Sequence, residues 1–312
     1  MEYISFKSKI IESKAKKEAK KLNDDFVIKE GRHTFLTKEG AEQITKMRIH
    51  SGQIQNDDLS DLKHFPNLKL LEILSFKISD ISALPKLLSL ETLKLQTIEK
   101  VTSLKPIENF PMLKKLDLEG FCKNTDITPI SKLKKLKTLN LGYNAIENIA
   151  ALSELVNLTE LHLFANQISD ISPLLQLKKL KRLFIQGNNI VDISPLSSLV
   201  ALKELNLAFN RIIDICALAN LSNLETLYLE HNHISCIEKL ERNTNLRTLS
   251  IYQNPISVDS ILKMPFLDNI YVDKKDCFLL LEMNHKKTTL STRIRSFDDR
   301  KEYLIYCFHK YD

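Results

Sequence analysis

The amino-acid sequence predicts an α/β repeat solenoid, a stack of short strands in which each strand is followed by a short helical return segment. Between Leu136 and Asn254 the pattern Leu-x-x-Leu-x-Leu-x-x-Asn, with isoleucine at some positions, recurs every 22 residues without a change of register. In each copy two apolar residues stand two positions apart, the period of a strand with one buried face. One such strand cannot bury its leucines alone, so we expect the copies to stack around one apolar core.

Each copy ends in an asparagine, at the point where the backbone turns out of the strand and loses its sheet partners. An asparagine amide both donates and accepts hydrogen bonds, so a column of buried asparagines can satisfy these backbone groups along the stack. We therefore predict a structural and not a catalytic role for Asn144, Asn166, Asn188, Asn210, Asn232 and Asn254.

The pattern and its period resemble those of the leucine-rich-repeat family. The return segments at 170–174 and 192–196 both read Asp-Ile-Ser-Pro-Leu, which resembles the internalin branch of that family and also the regulators of type 1 protein phosphatase. The resemblance implies a leucine-rich-repeat horseshoe with a concave parallel sheet and short 3-10 or helical convex segments. Pro173 and Pro195 suit the first turn of such a segment, because proline fixes φ and lacks an N–H donor.

The chain is expected to have three parts: an N-terminal cap over 1–65 with a helix and a degenerate first repeat, leucine-rich repeats over 66–272, and a C-terminal cap over 273–312. Helical spacing of apolar residues predicts the helix of the first cap, and two short strands are expected around Gly31. In the last cap we expect strands at 277–283 and 289–297, followed by a helix from Ser296. The residues at helical spacing in the first cap are Ile11, Ala15, Ala19 and Leu22.

Three looser copies of the pattern precede the regular ones and begin at Leu68, Leu90 and Leu113. The expected asparagine is replaced in these copies by an apolar residue. We therefore expect an apolar column in its place, made of Phe76, Ile98 and Phe121.

Charge and composition exclude several classes of protein. The net charge of +6 resides at the two ends, because residues 51–272 hold 24 basic and 24 acidic side chains. A neutral repeat body argues against nucleic acid as a partner. No apolar run has the length of a secretory signal or of a membrane span. Five cysteines without a Cys-x-x-Cys pair favour a reducing compartment. We expect a cytoplasmic protein, with export without a cleavable signal as the alternative.

No catalytic arrangement is visible in the sequence. It contains no nucleophile elbow, no phosphate-binding glycine loop and no His-Glu-x-x-His motif. We therefore predict a protein that is not an enzyme and that needs no cofactor. His231 and His233 flank Asn232, but no third ligand is near them in the sequence, and we predict no metal site.

Aromatic residues recur at strand positions that alternate with the leucines and therefore point outward. Exposed aromatics with polar neighbours have the composition of protein-binding hot spots. The alternative is a ladder of rings that only stabilises adjacent strands. We predict a protein-binding module with an unidentified protein partner; the alternatives are a regulatory subunit of a phosphatase-like enzyme and a secreted effector or adhesion protein. The predicted contact residues are Tyr143, His162, Phe164, Phe184, Phe209, Tyr228, Tyr252 and Tyr271.

Overall fold

A computed structural model of the 312-residue chain describes residues 2–96, 101, 103–121, 125–264, 266–273 and 276, and the backbone of 293–296. The chain divides into two compact units, Met1–His162 and Leu163–Asp312. The three-part division into caps and repeats at 65 and 272 stays a prediction.

The first unit begins with a small α/β segment and continues as a parallel sheet. Strands β1 and β2 form an antiparallel hairpin around Gly31, as the sequence predicts, and β3 to β8 pair in parallel in chain order. Its helices and strands are α1 (Lys9–Lys20), β1 (Val27–Glu30), β2 (His33–Leu36), α2 (Lys38–Glu42), β3 (Lys46–His50), β4 (Leu70–Leu74), β5 (Thr92–Gln96), β6 (Lys115–Asp117), β7 (Thr138–Asn140) and β8 (Glu160–His162).

Helix α1 begins where Ser8 caps its first turn and buries one face. The Ser8 side chain accepts a hydrogen bond from the backbone of Ile11, and the Ser8 N–H donates to the buried carboxylate of Asp61 at 2.7 Å. The predicted helical face is present, because Ile11, Ala15 and Ala19 are fully buried. Leu22 departs from that prediction: it lies beyond the end of the helix and is exposed.

The second unit is a parallel sheet of short strands joined by short return segments. Strands β9 to β14 pair in chain order. Single 3-10 turns occupy the return segments at Ser172–Gln176, Ser194–Ser198, Cys216–Asn220 and Glu238–Arg242, and the first two carry the predicted prolines. The strands and the one α-helix described are β9 (Arg182–Phe184), β10 (Glu204–Asn206), β11 (Thr226–Tyr228), β12 (Thr248–Ser250), α3 (Val258–Ile261), β13 (Asn269–Val272) and β14 (Arg293–Ser296).

Strand β14 lies inside the segment 289–297 that the sequence predicts to be a strand, and it pairs in parallel with β13. The other predicted strand, 277–283, lies outside the described residues. So does the part of the predicted C-terminal helix that follows Ser296.

Leucine burial defines the core of each unit. In the regular copies of the pattern the three leucine or isoleucine positions are fully or almost fully buried, for example Leu202, Leu205 and Leu207. Truncation of a side chain in such a position to alanine costs about 2–5 kcal/mol. Because every rung contributes the same three side chains, the core is continuous within a unit.

The asparagines lie beneath the strand ends and join each rung to the preceding one. Asn210 is buried, and its Nδ2 donates to the carbonyl oxygens of Leu207 at 3.0 Å and Ile185 at 3.2 Å, the latter one repeat earlier. Its Oδ1 accepts from the backbone N–H of Ile190 at 3.1 Å. Asn188, Asn232 and Asn254 repeat this set of bonds. The bonds satisfy backbone groups that the sheet leaves unpaired.

One looser repeat differs from the predicted apolar column. Phe76 is 51% exposed, so it does not take the place of an asparagine. Ser75 does: it is buried, and its hydroxyl donates to the Ile54 carbonyl at 2.9 Å and accepts from the N–H of Lys77. A hydroxyl can both donate and accept, which the buried turn requires and a phenyl ring cannot supply. Phe121 is buried as predicted, and Ile98 lies outside the described residues.

Candidate partner-binding surface

One backbone conformation recurs in the second unit at the residue before each asparagine. There φ is positive: 52° at Ala165, 67° at Gly187, 54° at Phe209, 53° at His231 and 56° at Gln253. We call these five residues the strand-end column. Only glycine adopts this conformation freely, and other residues incur a cost of roughly 1–2 kcal/mol. The turn that ends each strand imposes this conformation whatever the side chain at that position.

Three aromatic rings form a continuous row at the ends of neighbouring strands in the second unit. The rings of Phe209 and His231 stack with centroids 4.2 Å apart and planes 18° from parallel. His231 meets the ring of Tyr252 edge-on, with centroids 5.0 Å apart and an interplanar angle of 88°. All three side chains are half-buried, so each retains accessible ring surface. We call Phe209, His231 and Tyr252 the aromatic row.

The aromatic residues predicted to make contacts in the second unit fall into a buried group and a half-buried group. Phe184, Tyr228 and Tyr271 are 1%, 4% and 5% exposed, so the expectation that these rings are accessible is wrong. They occupy the last described position of β9 and β11 and the third of β13, where Asn206 and Ser250 on the intervening strands are buried too. Their burial fits the alternative of a ladder between adjacent strands. Phe164, Phe209 and Tyr252 are half-buried.

The first unit holds the remaining two predicted contact residues. Tyr143 is 37% exposed and has φ of 58°, the conformation of the strand-end column. His162 is half-buried, and its Nε2 lies 2.8 Å from a carboxylate oxygen of Glu160. Whether either residue contacts a partner stays a prediction.

The sequence alone missed two residues beside these rings. His231 is the first and is not among the predicted contact residues, although it stands 22 residues after Phe209 and so occupies the same position in the next repeat. Glu230 is the second. It is fully buried, and neither of its carboxylate oxygens has a hydrogen-bond partner among the described residues.

Desolvation controls the chemistry of Glu230. Burial raises the pKa of Glu230 to about 7. The Ser250 hydroxyl and backbone groups of residues 229 and 230 partly offset the rise, although no hydrogen bond of ordinary geometry reaches the carboxylate. The carboxyl group therefore changes its charge near neutral pH, two residues after Tyr228 in the sequence.

The described part of the chain contains no group of three or more histidine, cysteine, aspartate and glutamate side chains placed to hold a metal ion. Within the same residues no helix combines the length and the apolar character needed to cross a membrane.

Comparison with known proteins agrees with this architecture. The family model described as leucine-rich repeats in two copies matches residues 134–176, 178–220 and 222–269. A search of curated proteins finds no significant match. These three segments of the chain therefore consist of leucine-rich repeats, and the predicted repeat solenoid is confirmed.

Several solved structures are similar to this chain, and one of them is an internalin. An internalin from Listeria monocytogenes is 24% identical with a TM-score of 0.71, over 95% of this chain and 96% of that one. A leucine-rich-repeat protein from Leptospira interrogans is 19% identical with a TM-score of 0.54, over 83% and 85%. The plant peptide hormone receptor RGFR1, in complex with RGF2, is 20% identical with a TM-score of 0.62, over 80% of this chain and 45% of that one. At these identities the likeness concerns the fold.

Proposed function

We propose that this protein is a non-enzymatic binding module that holds a protein partner on the aromatic row and Phe164. The observation that carries the proposal is the row itself, in which the Phe209, His231 and Tyr252 rings contact one another and remain half-buried. Large rigid rings bury much area at little cost in side-chain entropy, so they dominate the energetics of interfaces.

Backbone strain supports the same surface. Phe209 and His231 occupy a left-handed conformation that Gly187 fills in the preceding repeat without strain. Retention of an aromatic side chain at a position suited to glycine implies that the ring contributes something other than folding stability. Contact with another molecule is such a contribution.

The refined surface omits the three buried rings. Phe184, Tyr228 and Tyr271 cannot add contact area in their present positions, because at most 5% of each is accessible. We propose that they act indirectly, as the packed layer that holds the strands in register beneath the surface.

A matched pair of triple variants tests the proposal. The surface variant combines Phe164→Ser, Phe209→Gly and Tyr252→Ser. The control combines Leu175→Ser, Val191→Ser and Ile213→Ser, which removes three exposed apolar side chains from the return segments of the same unit. Each protein is immobilised and used to capture partners from its own host, and the captured proteins are quantified by mass spectrometry.

We expect a partner that the wild type and the control retain equally and that the surface variant loses by about tenfold or more, equivalent to about 1.4 kcal/mol. Circular dichroism and thermal melting of all three proteins show whether the repeats remain folded. A folded surface variant that captures the same partners in the same amounts would contradict the proposed surface.

A further inference from the structure

The first unit contains a basic cavity beside the outermost described strand of its sheet. A cavity of about 610 Å³ lies between α1 and β3. Lys9, Lys14 and Lys17 line its helix side, and Arg48 and His50 line its strand side, with no acidic residue among the lining. Ile10 and Ile49 contribute apolar wall. Its size is that of cavities that hold ligands.

Part of this positive charge lacks a counter-charge. Lys14 pairs with Glu18 at 3.3 Å, and a single carboxylate, that of Glu72, serves both Arg48 at 3.1 Å and His50 at 2.9 Å. Lys9 and Lys17 make no ion pair with any residue that the structure describes. The cavity therefore favours a negatively charged occupant.

The strand side of the cavity is an edge of the sheet, where no further described strand pairs with β3. In a parallel ladder alternate residues bond to the same neighbour. The N–H of Ser51 donates to Leu74 at 3.0 Å, and the Thr45 carbonyl accepts from Leu70 at 3.1 Å, so the odd-numbered residues of this segment bond to β4. The backbone N–H and C=O groups of Arg48 and His50 consequently point away from β4, at the end of the sheet where β3 is the outermost described strand.

We propose that this cavity binds an extended acidic peptide segment, which adds to the open edge of β3 as a further strand. The peptide backbone pairs with the N–H and C=O groups of Arg48 and His50, and its carboxylates meet Lys9 and Lys17. An exposed strand edge beside a helix is the geometry of recognition by strand addition. Strand β3 has five residues and so offers an edge about 17 Å long.

The backbone donors and acceptors at the edge of β3 favour a peptide over a simple anion. A phosphate group at neutral pH accepts hydrogen bonds and would leave the outward carbonyl groups of Arg48 and His50 without a donor. A peptide strand supplies both donors and acceptors at the spacing of the edge. The charge of the cavity then selects among peptides, and acidic ones match it.

Fluorescence anisotropy of labelled short peptides on the full-length protein tests this proposal. The probes are a peptide of alternating glutamate and valine, one of alternating lysine and valine, and the glutamate peptide with every second backbone nitrogen methylated. We expect binding of the first alone, because the second has the wrong charge and the third has lost the N–H groups that pair with the edge. Equal binding of the methylated peptide, or of the lysine peptide, overturns the proposal.

Charge reversals on α1 provide an independent test. Lys9→Glu with Lys17→Glu is expected to weaken binding of the glutamate peptide by about tenfold or more, as two lost charge contacts imply. Lys7→Glu with Lys20→Glu changes the net charge equally and spares the cavity lining, so its effect should stay below about twofold. The same loss in both variants overturns the assignment, because it indicates general attraction to a basic protein. The peptide series on the wild type decides the question if either variant fails to fold.

Discussion

The imidazole of His231 lies on the ring of Phe209, with centroids 4.2 Å apart, in the corresponding position of the next repeat. Both residues have φ near +53°, so the same turn ends both strands. Adjacent strands of a sheet are about 4.8 Å apart, and this spacing lets rings in equivalent positions stack. Because the same strained turn recurs, the Phe209 and His231 rings lie side by side at the ends of their strands.

The strand-end column predicts opposite effects of substitution at two neighbouring positions. Gly187→Ala should destabilise the protein by about 1 kcal/mol, because alanine is disfavoured at positive φ. An added Cβ would meet only the N and Cα atoms of Ala165, at 3.5 and 3.6 Å, so steric overlap does not contribute. Ala165→Gly should be neutral or stabilise by up to about 1 kcal/mol. Urea unfolding of both variants measures the difference, and a loss of stability from Ala165→Gly as large as that from Gly187→Ala would contradict this account.

The asparagine column predicts a large cost for one buried amide. Asn232→Ala should destabilise the second unit by about 3 kcal/mol, because it removes bonds to Leu207 at 3.0 Å, Leu229 at 2.8 Å and Ile212 at 3.0 Å. Asn223→Ala is the control: this exposed side chain makes one bond, to the Val200 carbonyl at 2.9 Å, and its loss should cost less than about 1 kcal/mol. Chemical denaturation with hydrogen exchange at β10 to β12 distinguishes the two. Comparable costs would show that the column is not structural.

Glu230 predicts a pH-dependent stability. The pKa of this carboxyl group is about 7 in the folded protein and 4.5 as the ordinary value. Between pH 4.5 and about pH 7 the folded protein keeps this proton, whereas the unfolded chain has released it. The free energy of unfolding therefore falls as pH rises, by about 1.4 kcal/mol per pH unit. Below pH 4.5 this penalty is absent, and above about pH 7 it is constant at roughly 3 kcal/mol.

Glu230→Gln removes the ionisation and should therefore be more stable than the wild type at pH 8, by up to about 3 kcal/mol, with little difference near pH 4. Unfolding curves of the two proteins between pH 4 and pH 8 measure this effect. Parallel pH profiles would show that the carboxylate is solvated or paired in the folded protein.

Two exposed cysteines should differ in reactivity. The neighbouring Asp214 carboxylate, which also accepts a hydrogen bond from the Cys216 backbone at 2.8 Å, raises the pKa of the Cys216 thiol. Because the thiolate is the reactive form, Cys216 should react slowly with iodoacetamide at pH 8, and Asp214→Asn should accelerate it. Cys236 in the same variant is the internal control. Mass spectrometry of the alkylated peptides gives both rates, and an unchanged Cys216 rate contradicts the electrostatic cause.

The architecture followed from local patterns. Inward leucines such as Leu205 and Leu227 were identifiable because strand alternation depends only on residues two positions apart. The return turns with Pro173 and Pro195 were predictable for a similar reason, since proline restricts its own backbone. The exchange of roles between Ser75 and Phe76 was not predictable, because a loose repeat permits a shift of one residue in the turn.

Sequence by itself determined the repeat period, the apolar core and the candidate aromatic positions, because all three depend on spacing along the chain. Tertiary structure alone decided that the Phe184 ring is buried whereas Phe209 retains accessible surface, and that His231 joins the aromatic row. It also decided that the Glu230 carboxylate is buried without a hydrogen-bond partner among the described residues. Exposure depends on side chains about 22 residues away and on their sizes and directions, which no local pattern encodes.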